Sequence, residues 1–449
     1  MGFDACSWPR PRLPVATTTS SYCSLKLERF FFFVFCKHTK STSISCSVSE
    51  PSNSPASSST RSYSRRWYNP LRNRPSDSPT PYIVRHWIDS DCPLASQERF
   101  TVVSYNILGD RNAWKHNDLY PNVPFHYMEW GHRRRVICQE LSEWEPDIIC
   151  MQEVDRYFDL LSLMEEVGYV GSYKRRTGDY ADGCATFWKA DKFCLVEGES
   201  IEFKGLGLRD NVAQLSVLEM MKVKSRRVLI GNIHVIYNPN RGDVKLGQVR
   251  LLSSKAEILS KKWGNIPIVL AGDFNSTPQS AIYKFLTSSE LNIMLHDRRE
   301  LSGQRRCHPA QVFGAKREME SPLILIDSLF KDSWTREEAK AATGSAESDL
   351  AVHPLKLNSS YATIKSFQGS TRTRDSNGEP LATSYHSKFL GTVDYLWYSG
   401  DVIPTKVLDT VPIDTLSRTG GLPSEKLGSD HLALVSEFAF VQGMRSYDN

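Results

Sequence analysis

Residues Ile266 to Pro278 read IPIVLAGDFNSTP. An apolar run, Ile266, Ile268, Val269 and Leu270, breaks into Gly272, Asp273, Phe274 and Asn275, then Ser276, Thr277 and Pro278. This is the profile of a buried strand that delivers polar groups at its C-terminal end, where open α/β sheets place their chemistry. Asp273 and Asn275 lie two apart, so an extended segment points both to one face. A carboxylate and a carboxamide converging there suit a hard cation and the water it activates. The plain alternative is a strand running into an Asx turn, since Asp and Asn are ordinary turn formers.

Outward from this stretch the same pattern recurs. On its N-terminal side, residues 243–263 carry Val249, Leu252, Ala256, Leu259 and Trp263 on one helical stripe, closed by Gly264-Asn265. Further upstream, strands are predicted at 227–235 (RVLIGNIHV), 212–220, 183–188 (GCATFW), 147–153 (DIICMQE) and 100–108 (FTVVSYNIL). Helices are predicted over 131–144 and from Tyr157 to Val167. Downstream, 298–384 reads as helical and loop insertions over one end of the domain, with REEAKAATGSAESD at 336–349 its least structured part. Strands return at 392–399 (TVDYLWYS) and 429–438 (SDHLALVSEF).

The 449 residues are 40% hydrophobic and 24% charged, with net charge +4, a mild excess that allows an anionic partner without demanding one. The most apolar segment, FFFVFCK from Phe30, is far shorter than the ~20 residues of a membrane span, so no membrane association is expected. Ten cysteines without a CxxC pair suggest reduced thiols in an intracellular protein. Residues 1–97 form a Ser- and Arg-rich, acid-poor leader, read as disordered, with the folded domain spanning 98–449. The leader has the composition of a plastid or mitochondrial transit peptide. Its Arg61, Arg65, Arg66, Arg72 and Arg74 alternatively form a nuclear signal or nucleic-acid arm. Cys6 stands where a myristoylation signal wants Ser or Thr.

Eight polar residues mark the ends of the strand-like runs: Asn106, Glu153, His234, Asp273, Asn275, Asp394, Asp430 and His431. Singly, each has an ordinary explanation as turn former, helix-start acid or core histidine. Together they form the inventory for metal-assisted attack on a phosphate diester. Buried charge at strand ends is costly unless it is paired or metal-bound.

SYNIL (104–108), CMQEV (150–154), GCATFW (183–188), NIHVIYNP (232–239), LAGDFNS (270–276), VDYLWYS (393–399) and GSDHLAL (428–434) occur in the order found in the endonuclease/exonuclease/phosphatase superfamily. More closely, residues 98–440 resemble the carbon-catabolite-repressor-type deadenylases, the group that includes nocturnin-like and angel-like enzymes. The resemblance implies an α/β fold, a four-layer sandwich of two mixed β-sheets flanked by helices, with the active site at one end of the sheets. It implies Mg²⁺ as cofactor, one or two ions with Mn²⁺ a possible substitute, two ions standing roughly 4 Å apart. Carried over, Glu153 is the principal metal ligand, with Asn106 and Asp430 near the metals. Asp273 orients or deprotonates water beside the metal, and Asn275 binds phosphate or the second ion. His431 stabilises the pentacovalent phosphorus, Asp394 holds His431, and His234 contacts the scissile phosphate. Pro239 and Phe389 fall where an apolar clamp for a base is expected. The implied activity is a 3′-to-5′ exoribonuclease on single-stranded RNA, with poly(A) tails as target, acting in nucleus and cytoplasm. No leucine-rich repeat precedes residue 98, which puts membership of a deadenylation complex in doubt. The runners-up are a phosphatase of the same architecture, acting on a dinucleotide phosphate or an RNA cyclic phosphate, and an RNA-binding module without catalysis.

Overall fold

The computed structural model describes residues 83–90, 95–313, 334–364 and 372–441. The leader segment, with its targeting readings, lies outside the described residues apart from its last stretch. Among the described residues the strands in chain order are β1 (Trp87–Asp89), β2 (Ala95–Asn106), β3 (Ile148–Gln152), β4 (Tyr169–Arg175), β5 (Gly183–Lys189) and β6 (Phe193–Glu202). They continue as β7 (Val212–Met220), β8 (Arg227–His234), β9 (Ile268–Asp273), β10 (Glu290–Asn292), β11 (Leu350–Val352) and β12 (Asn358–Ser359). The last are β13 (Ser384–His386), β14 (Phe389–Gly391), β15 (Asp394–Ser399), β16 (Val402–Leu408) and β17 (Leu434–Val441).

One large sheet runs β1-β16-β17-β2-β3-β5-β4, and the other β12-β15-β9-β8-β7-β6. Both are mixed: β2–β3 and β8–β9 pair in parallel, while β17–β2 and β15–β9 pair antiparallel. Period two in each strand feeds two cores at once. Val269 and Ala271 of β9 meet Phe100, Val102, Ile148 and Cys150 of the opposite sheet in the central core. Ile268 and Leu270 of the same strand face the helix Gly242–Lys262 and the helix Ala281–Ser288. On the far side, Val103, Tyr105 and Ile149 pack against Ile137 and Leu141 of the helix Trp130–Trp144 and Leu160 of the helix Tyr157–Glu165. Helix, sheet, sheet, helix: these are the four layers predicted from the sequence.

Several local readings are corrected. Strand β1 pairs with β16, Trp87 opposite Leu408, so the sheet takes in residues ahead of the boundary read at 98. Residues 336–349, expected to be the least structured, begin with the helix Arg336–Thr343. Thr335 and Glu338 form a reciprocal capping box at its start, and Ala339 and Ala342 are buried in the outer core. A Cβ on Gly247 would fall 2.2 Å from the Ala341 carbonyl oxygen, so this helix rests directly on the backbone of its neighbour. The final strand starts at Leu434, not Ser429. Asp430 and His431 therefore precede a strand, and Asp394 opens β15 instead of closing a run. Antiparallel pairing supplies the reason they still converge: Asp394 stands opposite Asp273 in register, which puts the start of β15 at the end of β9.

Candidate active site

The site lies where β2, β3, β8 and β9 end and β15 begins. Gly272 permits the close packing of β8 and β9, since a Cβ there would fall 2.1 Å from the Ile233 carbonyl oxygen. The chain then turns. Asn275 adopts φ +47° and its N–H donates to Asp273 Oδ1 at 2.9 Å, an Asx turn, so the two residues do not share the face of one extended strand. Glu153, one residue beyond β3, has φ +58°, a left-handed conformation that a glutamate adopts at a cost and that turns its carboxylate inward.

These bends bring the carboxylates together. The Asn106 amide donates from Nδ2 to Glu153 Oε1 at 3.2 Å and to Asp273 Oδ2 at 3.1 Å, bridging the two acids. Its Oδ1 accepts from the Leu108 N–H at 3.1 Å and so is turned from the carboxylates. Glu153 Oε2 accepts from Gly109 N–H at 3.2 Å and Asn112 Nδ2 at 2.8 Å. Asp430 accepts from Tyr120 Oη at 2.9 Å. His431 Nδ1 meets Asp394 Oδ2 at 2.8 Å, leaving Nε2 at 3.9 Å from Asp273 Oδ2. His234 Nε2 lies 3.5 Å from that same oxygen, and its buried Nδ1 has no hydrogen-bond partner.

The electrostatics follow from burial. Burial resists ionisation of Glu153, yet His234, the Asn112 and Asn106 amides and His431 hold its carboxyl down at about 2. Burial, reinforced by Asp394, pushes Asp273 up to about 7. Asp430 is raised chiefly by burial. Burial opposes protonation of His431 as well, but Asp394 and Asp430 overcome it and hold its pKa well above the ordinary value. His234 goes the other way, to about 4, because burial dominates.

Seven of the expected residues, Glu153, His234, Asp273, Asn275, Phe389, Asp430 and His431, line one cavity of about 590 Å³. Asn106 and Asp394 lie buried behind them, each bonded to a lining residue. Pro239 is half-buried beside the lining residue Asn238 and is not itself part of the wall. Both ends of the Asn275 carboxamide are occupied, Nδ2 donating to Val235 O and Oδ1 accepting from Gln304, each at 2.9 Å. Arg209 and Asn211 reach the wall. Lys189 does not: it bonds Glu145 O and Asp147 at the opposite end of β5.

The donor set fits a hard divalent cation. Two buried carboxylates, Asp273 and Asp430, and the half-buried Glu153 share one cavity, and among the described residues none pairs with Lys or Arg within 4.0 Å. Carboxylates gathered this closely, with histidines as their cationic partners, favour a divalent cation among them. Among the described residues, the group whose ligand atoms all lie within 4.8 Å of one another is Asp273, Asp394 and His431, while Glu153 and Asp430 stand farther out on the same cavity wall.

Sequence reading missed several contributors. Tyr120 and Asn112 come from short helical and loop segments without periodic signal. Lys245 and Arg133 look like surface cations, but both are fully buried. Arg133 donates to the carbonyls of Ile107 and Leu108 at 2.9 and 2.7 Å and so anchors the loop after Asn106. Lys245 Nζ donates to Tyr237 O, Asn275 O and Gln304 Oε1 at 3.0, 2.8 and 2.6 Å.

Residues 103–431 match the model of the endonuclease/exonuclease/phosphatase family. The chain belongs to that family. Within it, the carbon catabolite repressor type is the relevant branch. This chain is 60% identical to carbon catabolite repressor protein 4 homolog 3 of Arabidopsis thaliana over 97% of both chains, and 48% identical to homolog 5 over 82% and 84%. Among solved structures, ANGEL2, described as a 2′,3′-cyclic phosphatase and crystallised with adenosine-2′,3′-vanadate, superposes with a TM-score of 0.65. That match has 29% identity and covers 80% of this chain and 99% of ANGEL2. As an endonuclease/exonuclease/phosphatase protein, the molecule is a hydrolase of the nuclease and phosphatase class, with the four-layer fold expected.

Proposed function

We propose that this enzyme is a Mg²⁺-dependent 3′-to-5′ exoribonuclease that shortens poly(A) tails and releases 5′-AMP. The observation that carries the reading is the cluster of buried carboxylates facing the His431–Asp394 pair on one cavity wall. The volume lies in the ~300–1,000 Å³ range of small-ligand sites, which suits a strand end over a strand interior. Lys115, Arg176, Arg209 and Arg241 line the same cavity and match the charge of a phosphate backbone.

Glu153, Asp430 and Asp273 are the residues that would hold a divalent ion, which would supply Lewis-acid polarisation of the phosphate and a more acidic water. Asp273 takes up the proton of the attacking water at Oδ2, the oxygen that faces both histidines. His431, fixed at Nδ1 by Asp394, presents Nε2 to the charge that develops on the phosphoryl oxygens and to the departing 3′-oxygen. His234 presents its ring to the scissile phosphate, and Asn106 keeps Glu153 and Asp273 at fixed spacing.

The full chain with Mg²⁺ and 5′-labelled RNA ending in A₂₀ is expected to give a ladder shortening from the 3′ end. Intact RNA, with turnover of adenosine 2′,3′-cyclic phosphate instead, would transfer the assignment to the phosphatase activity for which ANGEL2 is described. Action in nucleus and cytoplasm is part of the proposal, with organellar import through the leader as the competing outcome. A fluorescent fusion with and without residues 1–75 separates the two.

A further inference from the structure

The sequence pointed to Pro239 and Phe389 as the clamp around a base. Phe389 has only 6% of its surface exposed and packs beside His386, ring centroids 6.0 Å apart, while Pro239 stands outside the cavity wall. Phe389 still contributes to the cavity wall. Two other aromatic residues of the same wall are open: Tyr237 is 56% exposed and Tyr180 40%.

Tyr237 is exposed on a fixed backbone. Its carbonyl accepts from the buried Lys245 Nζ at 3.0 Å, and the preceding Ile236 N–H donates to Gln248 Oε1 at 2.9 Å. Both anchoring side chains come from the helix Gly242–Lys262 and are completely buried. That same lysine holds the Asn275 and Gln304 side of the cavity, so the position of the ring is tied to that of the metal-site loop. An aromatic ring held on pinned backbone in a cavity wall with more than half its surface open presents a face on which a base can stack. At Tyr180 the Arg176 guanidinium carbon lies 3.6 Å from the ring centroid, so a cation backs one face of that ring. Arg241, in the wall near Tyr237 in sequence, is held by a two-point ion pair to buried Asp243 at 3.0 and 2.7 Å.

We infer that Tyr237, assisted by Tyr180, is the stacking platform for the bases at the 3′ end of the substrate. This rests on the reading of the site as one that takes an RNA end. Stacking tolerates any base, because every base has a π-face, so the platform selects single-stranded ends and leaves base identity to other contacts.

The test uses the full chain with Mg²⁺ and two RNAs, one ending in A₂₀ and the same RNA lacking the bases of its last two 3′ nucleotides. Tyr237→Ala is expected to raise KM on A₂₀ by roughly 5- to 100-fold, the span of one lost base stack. On the RNA without terminal bases the factor is expected to be much smaller, and Tyr237→Phe, which keeps the ring, restores most of the loss. Unchanged KM on A₂₀, or the same factor on both RNAs, overturns the platform. Should the wild type leave A₂₀ intact, the deadenylase reading falls, and the platform is judged on adenosine 2′,3′-cyclic phosphate. Unchanged KM of Tyr237→Ala there overturns it, as does wild-type inactivity on both nucleotides.

Discussion

At the scale of single residues, the pair His431–Asp394 and the bridge at Asn106 concentrate the chemistry. Asp394 is buried and touches the reacting centre only through the imidazole, with Nδ1 at 2.8 Å from its Oδ2. Asp394→Asn removes the charge that sustains protonation of His431 and can invert its tautomer. We expect kcat to fall by about 10²-fold or more with KM moved far less, read in single-turnover assays. Equal losses in kcat and substrate affinity would place Asp394 in substrate binding instead. Glu153→Gln keeps the shape but removes a carboxylate that the surrounding donors hold ionised. Loss of Mg²⁺ binding by titration calorimetry, together with loss of turnover, is the expected result; metal affinity equal to wild type would exclude Glu153 as a ligand.

At the scale of elements, the helix Gly242–Lys262 does more than cover a sheet. Its first two turns bury three polar side chains: Asp243 pairs with Arg241, Gln248 ties Ile236 N–H to Leu208 O, and Lys245 reaches Asn275 O. Lys245 loses proton affinity through burial, a cost accepted because three oxygens converge on its ammonium. Lys245→Met leaves those acceptors unsatisfied, at ~1–3 kcal/mol for each buried group that water cannot reach. A drop of about 3 kcal/mol or more in unfolding free energy is expected from urea denaturation. A loss under about 1 kcal/mol would mean that water replaces the ammonium and that the loops do not depend on it.

For the whole molecule, stability is coupled to both metal and protons. Because three carboxylates crowd one cavity, Mg²⁺ at a hundredfold excess over its Kd is expected to stabilise the folded chain by ~2.7 kcal/mol. Differential scanning calorimetry with Mg²⁺ and with EDTA reads this directly, and EDTA should abolish turnover while the far-ultraviolet circular dichroism of the four layers persists. Far from the site, Glu140 is pushed up to about 7 by burial and accepts from Tyr105 Oη at 2.8 Å. Its folded pKa exceeds the unfolded value of 4.5, so the folded state holds the extra proton between them. The stability this contributes is complete below pH ~4.5 and is lost as pH rises through about 7. Glu140→Gln retains an acceptor for Tyr105 and carries no charge, so it should stabilise the protein at pH 8, by roughly 3 kcal/mol at ~1.4 kcal/mol per pKa unit. At pH 4.5 it should change little. A variant no more stable than wild type at pH 8 would show that Glu140 ionises in the fold without cost.

The primary structure alone made most strands, helices and strand-end polar residues legible, for a physical reason, while the layer order came from the family resemblance of its ordered motifs. Strands buried on both faces are continuous apolar runs, and acids, amides and histidines that interrupt such runs stand out, as Asn106, Glu153, His234 and Asp273 do. Helical stripes were legible on the same ground, down to the register of Leu252, Ala256 and Leu259. What tertiary structure decided is where side chains without such contrast end up. Lys245 and Arg133 read as surface cations on helices, and only the packing of loops over them shows that each is a buried donor. Asp394, Asp430 and His431 join the others through antiparallel pairing, which no local pattern encodes. How far an aromatic ring stands open is likewise a property of its neighbours: on the same cavity wall Phe389 is 6% exposed and Tyr237 56%.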